Sequence, residues 1–199
     1  TPTIDAAVVM REMSGYKEER RIASQVLTGP SPTFTGDREG VIGRVKNALY
    51  ASIIATYAQG LALLRKASAT YGYDLDLEAV ARIWRGGCII RAAILEDIRS
   101  AFKNKADLPN LLLDPHLGKE FLSRAADLRE VVQMAAALGL PAPGLMATLS
   151  YFDAYRSAEL PANLIQAQRD YFGAHTYERL DAPGVFHTEW PPLEISDTE

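Results

Sequence analysis

The 199-residue chain contains little of what marks the common catalytic and cofactor sites. Its single cysteine, Cys88, excludes an internal disulfide framework and fits a reducing compartment. Its three histidines lack metal-ligand spacing, and neither HExxH nor CxxC occurs. The phosphate loops GxGxxG and GxxxxGK[ST] are missing, as is a serine in GxSxG. The sequence therefore predicts no metal site, no cofactor-binding loop and no catalytic residue of these familiar kinds.

Charge and hydropathy exclude further classes. The net charge is −4, acids and bases are interspersed, and no basic block indicates a nucleic-acid partner. No uninterrupted apolar run approaches the roughly 20 residues that span a bilayer, and no secretory leader is visible. We therefore expect a cytoplasmic protein that binds neither nucleic acid nor membrane.

Apolar residues recur at helical spacing over most of the chain, with no β alternation and no internal repeat. The predicted fold class is all-α, a multi-helix domain with one long central helix and an extended C-terminal tail. The predicted domains are residues 1–172 for the helical part and 173–199 for the tail. The predicted helices are Thr3–Gly15, Arg38–Tyr71, Leu77–Trp84, Ile89–Lys103, Pro115–Leu138, Pro143–Ser157 and Pro161–Phe172. Thr3 is the predicted N-cap of the first, and Asp114 and Pro115 are the predicted N-cap and first residue of the fifth.

The predicted central helix, Arg38–Tyr71, has an unusual composition. Asp37 is a natural N-cap, Gly72 is a natural stop, and the stretch ALYASIIATYAQGLALL is apolar almost all round. Only a larger assembly can bury such a helix, so we expect a partner subunit or another domain. Gly60 in its middle predicts close packing of another backbone.

The stretch IQAQRDYFGAHTY carries a candidate anion site, Arg169 and His175. On one continuous helix these residues would not share a face. If Gly173 ends the helix in a left-handed conformation, however, His175 can return toward Arg169, and a guanidinium grips phosphate in a bidentate manner. The alternative is that Arg169 pairs with a surface carboxylate and His175 caps a carbonyl. On spacing alone, Arg11 is a solvated helix arginine.

The remaining candidates favour structural roles. Cys88 is interpreted as an inert buried thiol. His116 is predicted to lie on the surface, and His187 to have a packing role in the tail.

Several long strings resemble 6-phosphogluconate dehydrogenase. They are AVVMR, LYASIIATYAQG, IWRGGCIIRA, NLLLDP and LPANLIQAQRDYFGAHTYERLDAPGVFHTEW, in the family's order from about Ala7 to Trp190. The resemblance implies oxidation of 6-phosphogluconate by NADP and decarboxylation to ribulose 5-phosphate, in the pentose phosphate pathway. It also implies a homodimer without a metal, whose C-terminal tail reaches into the partner subunit. The chain is similar to the later part of the family's helical domain plus that tail.

The resemblance also assigns residues to substrate binding. Arg11 matches the arginine that binds the substrate phosphate from the same subunit. Arg169 and His175 match the pair that the tail donates to the other subunit's site, where the arginine holds phosphate and the histidine helps hold substrate.

The family's NADP fingerprint, its lysine base and its glutamate acid lie upstream of the matching region. We therefore expect these 199 residues alone to be inactive. Two alternatives stay open: a free-standing helical dimerisation or scaffold protein that has lost catalysis, and an anion-binding module in which Arg11 and Arg169 meet.

Overall fold

A computed structural model describes residues 1–191, and it confirms the predicted all-α class. Within those residues the chain forms nine α-helices, one 3₁₀ turn and one short hairpin. The helices are α1 Pro2–Ser14, α2 Lys17–Val26, α3 Arg38–Tyr71, α4 Leu77–Trp84, α5 Leu95–Asn104, α6 Pro115–Leu122, α7 Ala125–Ala137, α8 Pro143–Tyr155 and α9 Asn163–Gly173; the 3₁₀ turn is Leu111–Leu113.

The long central helix α3 begins and ends where the sequence predicts. The Asp37 carboxylate accepts hydrogen bonds from the backbone N–H groups of Glu39 and Gly40, both at 3.1 Å. Gly72 ends the helix with φ 68°, in the left-handed conformation that a residue without Cβ adopts easily. Asp114 and Pro115 open α6 in the same predicted way, with Asp114 accepting from His116 and Leu117.

Several predicted boundaries were wrong. Helix α2 was not predicted. Helix α5 begins at Leu95 rather than Ile89, because the residues just before it form turns. The Ile90 carbonyl in these turns accepts a hydrogen bond from the Tyr57 hydroxyl of α3. The predicted helix from Pro115 to Leu138 is broken into α6 and α7. At the break, the side chains of Ser123 and Arg124 both donate to the Glu120 carbonyl, which a continuous helix would pair with a backbone N–H.

The tail contains a hairpin that the sequence analysis did not predict. Strand β1, Tyr177–Glu178, pairs antiparallel with β2, Val185–Phe186, so that Tyr177 lies opposite Phe186. Each strand has two residues, which is too short to show an alternation of apolar and polar side chains.

The core forms around the middle of α3, which packs against α6 and α7. The buried side of α3 carries small side chains, which allow neighbouring helices to approach it closely. They are Ala48, Ala51, Ala55 and Ala58, all fully buried. The expected backbone contact at Gly60 is not found among the described residues: nothing lies within 4 Å of a Cβ built there.

Helix α3 nevertheless keeps an exposed apolar side, which includes Ile42, Leu49 and Leu63. By length and composition alone it could cross a membrane, with 44% of its most apolar window buried in the structure. The core helix of a soluble protein passes the same test.

The chain divides into two compact units, one ending at Asp153 and the other beginning at Ala154. The first holds α1 to most of α8, and the second holds α9 and the hairpin. Arg11 belongs to the first unit, and Arg169 and His175 belong to the second.

Candidate functional site

Arg11 lies on the exposed side of α1, in its last turn. The Ser14 hydroxyl donates to the Arg11 carbonyl at 2.6 Å, which satisfies one of the free carbonyls at the helix end. No hydrogen bond or ion pair joins the guanidinium of Arg11 to another residue in the described part of the chain. It is therefore available for a ligand.

A buried polar cluster fixes the start of α1. Thr3 was predicted to be the N-cap, but the N-cap position is Thr1, because Pro2 suits the first helical turn. Thr3 is buried, and its backbone N–H donates to the Gln59 side chain at 3.0 Å. The Gln59 amide donates in return to the Thr3 hydroxyl at 2.9 Å, and that hydroxyl lies 3.1 Å from the Thr148 hydroxyl. These hydrogen bonds join α1, α3 and α8 within the first unit. They therefore fix the position of α1, the helix that carries Arg11.

The end of α9 turns the chain back on itself. The predicted left-handed residue was Gly173, but Gly173 is the last helical residue, and Ala174 is left-handed instead, with φ 50°. The imidazole of His175 lies over Gly173, with Cδ2 and Nε2 3.0 Å from the position of an added Cβ. Glycine at residue 173 therefore matters for space rather than for its backbone angles, because a Cβ there would require the His175 ring to shift by a few tenths of an ångström.

This turn places His175 on the side of α9 that carries Arg169. Arg169 and Gly173 are four residues apart on one helix, so they share a face. His175 rests on Gly173, one turn along from Arg169. Both side chains are exposed, and neither has a hydrogen bond or ion pair with the rest of residues 1–191. The alternative pairings, a surface carboxylate for Arg169 and a carbonyl for His175, are not found there.

Asp170, beside Arg169, is a site residue that the sequence analysis missed. Its carboxylate is fully buried and accepts four hydrogen bonds. Oδ1 faces the Thr176 N–H and His187 Nδ1, both at 2.9 Å, and Oδ2 faces the Thr188 N–H and Trp190 Nε1, both at 3.0 Å. The sequence did contain a signal for this role. A carboxylate near a helix C-terminus interacts unfavourably with the helix dipole, so it needs hydrogen-bond donors from outside the helix.

These donors lower the pKa of Asp170. Burial by itself raises the pKa of a carboxyl group, but hydrogen bonds from His187, Thr188 and Trp190, together with the charge of His187, lower it to about 2. The group is therefore a carboxylate at neutral pH. It organises the tail and is not an acid or base for chemistry near neutrality.

The other two histidines and the cysteine have structural or surface positions. The predicted packing role of His187 was incomplete, because its ring binds Asp170. His116 is exposed as predicted, with Nε2 3.8 Å from Asp97. Cys88 is half-buried and free. Among the described residues, no cluster of three His, Cys, Asp or Glu side chains could hold a metal ion.

Comparison with known proteins agrees with the resemblance in the sequence. The family described as "6-phosphogluconate dehydrogenase, C-terminal domain" matches residues 1–190. A "6-phosphogluconate dehydrogenase, decarboxylating" from Synechocystis sp. is 56% identical over 95% of this chain and 40% of its own length. A "6-phosphogluconate dehydrogenase, decarboxylating 2, chloroplastic" from Spinacia oleracea is 51% identical over 96% of this chain and 37% of its own length.

A solved structure shares the fold. It is the Plasmodium falciparum 6-phosphogluconate dehydrogenase, determined in apo form, with its cofactor NADP+ and with its substrate 6-phosphogluconate. It has a TM-score of 0.88 and 41% identity over 95% of this chain and 41% of that one. The chain therefore spans about two fifths of the length of the relatives that it matches.

Proposed function

The chain belongs to the 6-phosphogluconate dehydrogenase family, and from that premise we propose that it forms the substrate-phosphate-binding and dimerisation part of an NADP-dependent, decarboxylating 6-phosphogluconate dehydrogenase. The observation that carries the proposal is the exposed pair Arg169 and His175 on one side of α9, in the family's sequence context. We further propose that the enzyme works in the cytoplasm, although relatives from Spinacia oleracea and Arabidopsis thaliana are named as chloroplastic.

The chemistry of the pair suits a sugar phosphate. A guanidinium offers a planar fork of N–H donors that matches two phosphate oxygens, and it remains charged at every physiological pH. The imidazole of His175 can donate to or accept from a neighbouring oxygen of the same ligand. Arg11 would add a second guanidinium, so that two cations face one phosphate dianion.

The described residues do not fit an NADP-binding site. They form helices and one two-stranded hairpin, without the strand, glycine loop and helix that hold a dinucleotide pyrophosphate. No hydride-transfer step is therefore assigned to residues of this chain. Its own contribution is to bind and orient the substrate.

The first experiment separates phosphate binding from the rest of the reaction. NADPH formation is measured for the complete product of the gene that encodes this chain, with 6-phosphogluconate and with unphosphorylated gluconate. Arg169→Ala should raise the KM for 6-phosphogluconate about 10- to 100-fold, since a hydrogen bond between charged groups contributes about 1.5–3 kcal/mol. The KM for gluconate should change little, because gluconate has no phosphate.

Arg129→Ala, which removes a partly exposed arginine paired with Asp153, is the control and should leave both KM values nearly unchanged. An equal rise of both KM values for Arg169→Ala would contradict the phosphate role. Failure of the unmodified gene product to form NADPH would overturn the dehydrogenase assignment and favour the scaffold alternative.

A second experiment tests the proposed exchange of tails between the subunits of a homodimer. If Arg11 and Arg169 in one site come from different subunits, a mixed dimer of an Arg11→Ala and an Arg169→Ala subunit has one site that keeps both arginines. Random reassociation should then restore about a quarter of the unmodified rate. If both arginines come from one subunit, every site in the mixture lacks one of them and no activity returns.

A further inference from the structure

Asp170 ties together two parts of the tail that are far apart in sequence. Its carboxylate binds Thr176, just after α9, and the segment His187 to Trp190, just after the hairpin. A carboxylate has about four lone-pair positions, and four donors occupy them here. The group is fully buried, so it cannot touch a substrate itself.

The same residue holds His175 from both sides. The Asp170 carbonyl accepts the Ala174 N–H at 2.9 Å, and its side chain accepts the Thr176 N–H at 2.9 Å. His175 lies between these two anchored residues. The Gln166 side chain also donates to the Thr176 carbonyl, which fixes the turn from a second point on α9.

The turn needs these anchors because its backbone is unfavourable. Ala174 has φ 50° and Thr176 has φ 61°, both left-handed, and neither is a glycine. A β-branched residue such as threonine is especially uncommon there. Without the hydrogen bonds to Asp170, this stretch would relax toward extended conformations and carry His175 away from Gly173.

We propose that Asp170 is the positioning residue of the substrate-binding pair: its buried carboxylate holds the turn at residues 174–176 so that His175 stays against Gly173, beside Arg169. This inference rests on the proposed function. Asp170 acts through His175, and its removal should weaken substrate binding without removing a substrate contact.

The test measures KM and kcat for 6-phosphogluconate with the complete product of the gene that encodes this chain. Asp170→Asn keeps the shape but turns an amide N–H₂ toward donors. It should raise KM about tenfold and leave kcat within about twofold. The matched control is Asp181→Asn, since Asp181 is an exposed carboxylate in the loop of the hairpin, paired with Arg179. The KM of this variant should stay within about twofold of the unmodified value.

A double variant distinguishes positioning from general support of the fold. If Asp170 acts through His175, Asp170→Asn should raise KM little further in a His175→Ala background, because the effects of residues that act as one unit do not add. If Asp170 has only a structural role, Asp170→Asn should raise KM by the same factor in the unmodified protein and in the His175→Ala variant. That result, or an unchanged KM for Asp170→Asn, would overturn the inference.

If Asp170→Asn does not fold, Trp190→Phe is measured instead, because it removes one donor to Asp170 and keeps an aromatic ring. A roughly threefold rise in KM is expected. An unchanged KM would overturn the inference. If Arg169→Ala and His175→Ala themselves leave KM unchanged, the proposed function fails. If those two raise KM and Asp170→Asn does not, only this inference fails.

Discussion

The indole Nε1 of Trp190 lies 3.0 Å from a carboxylate oxygen of Asp170, 20 residues earlier in the chain. This hydrogen bond holds the end of the tail against the end of α9. The stretch between the two residues contains His175 and the hairpin. The fluorescence of Trp190 should therefore depend on whether Asp170 is ionised.

Low pH should weaken the attachment of the tail to Asp170 on α9. The pKa of Asp170 in the folded chain is about 2, below the ordinary 3.8, so its contribution to stability is present above the ordinary value and is lost as pH falls toward 2. In a Trp84→Phe background, where Trp190 is the remaining tryptophan, indole fluorescence should change between about pH 4 and pH 2. The Asp170→Asn variant of that background cannot titrate at this position, and the prediction fails if both proteins give the same curve.

Adding one methyl group at residue 173 should disturb the proposed substrate site. A Cβ on Gly173 would lie 3.0 Å from two atoms of the His175 ring, which is too close for an ordinary contact. Gly173→Ala should displace the imidazole by a few tenths of an ångström and raise the KM for 6-phosphogluconate several-fold. Steady-state kinetics of the complete gene product measures this.

The control for that change is Gly144→Ala in α8, where nothing lies within 4 Å of the added methyl group. It should leave KM unchanged. A normal KM for Gly173→Ala would show that the position of His175 over Gly173 has no bearing on substrate binding.

The buried amide of Gln59 should be needed for stability. Gln59→Leu keeps the approximate volume but leaves the Thr3 N–H, and the hydroxyls of Thr3 and Thr148, with fewer partners. The expected loss is about 1–3 kcal/mol of the free energy of unfolding in urea. Gln133→Leu, on the exposed side of α7, should change it by about 0.5 kcal/mol or less. Equal values for the two variants would contradict a structural role for the cluster.

The 199 residues alone should not catalyse the reaction. The described residues include the proposed phosphate-binding pair, Arg169 and His175, but no assigned acid–base pair and no dinucleotide site. Such groups supply most of the rate in a dehydrogenase. Incubation of the isolated chain with 6-phosphogluconate and NADP should give no NADPH above a buffer blank. The complete gene product serves as the positive control, and turnover by the isolated chain would disprove the prediction.

The amino-acid sequence by itself determined the features that depend on neighbours along the chain. The caps of α3, Asp37 and Gly72, act within a few residues, so local chemistry was enough to predict both ends of the helix. The family strings likewise predicted the family to which the chain belongs, and they alone singled out Arg11 and strengthened the case for Arg169 and His175.

Tertiary structure decided the features that depend on distant residues. Thr3 looked like an N-cap because threonine often is one, yet a glutamine 56 residues away makes it a buried anchor. Asp170 looked like one more helix residue until donors up to 20 positions later surrounded it. Local propensity is weak, about 1 kcal/mol or less per residue, whereas a buried carboxylate without donors is far costlier. Long-range hydrogen bonds therefore decided where the tail turns and where His175 lies.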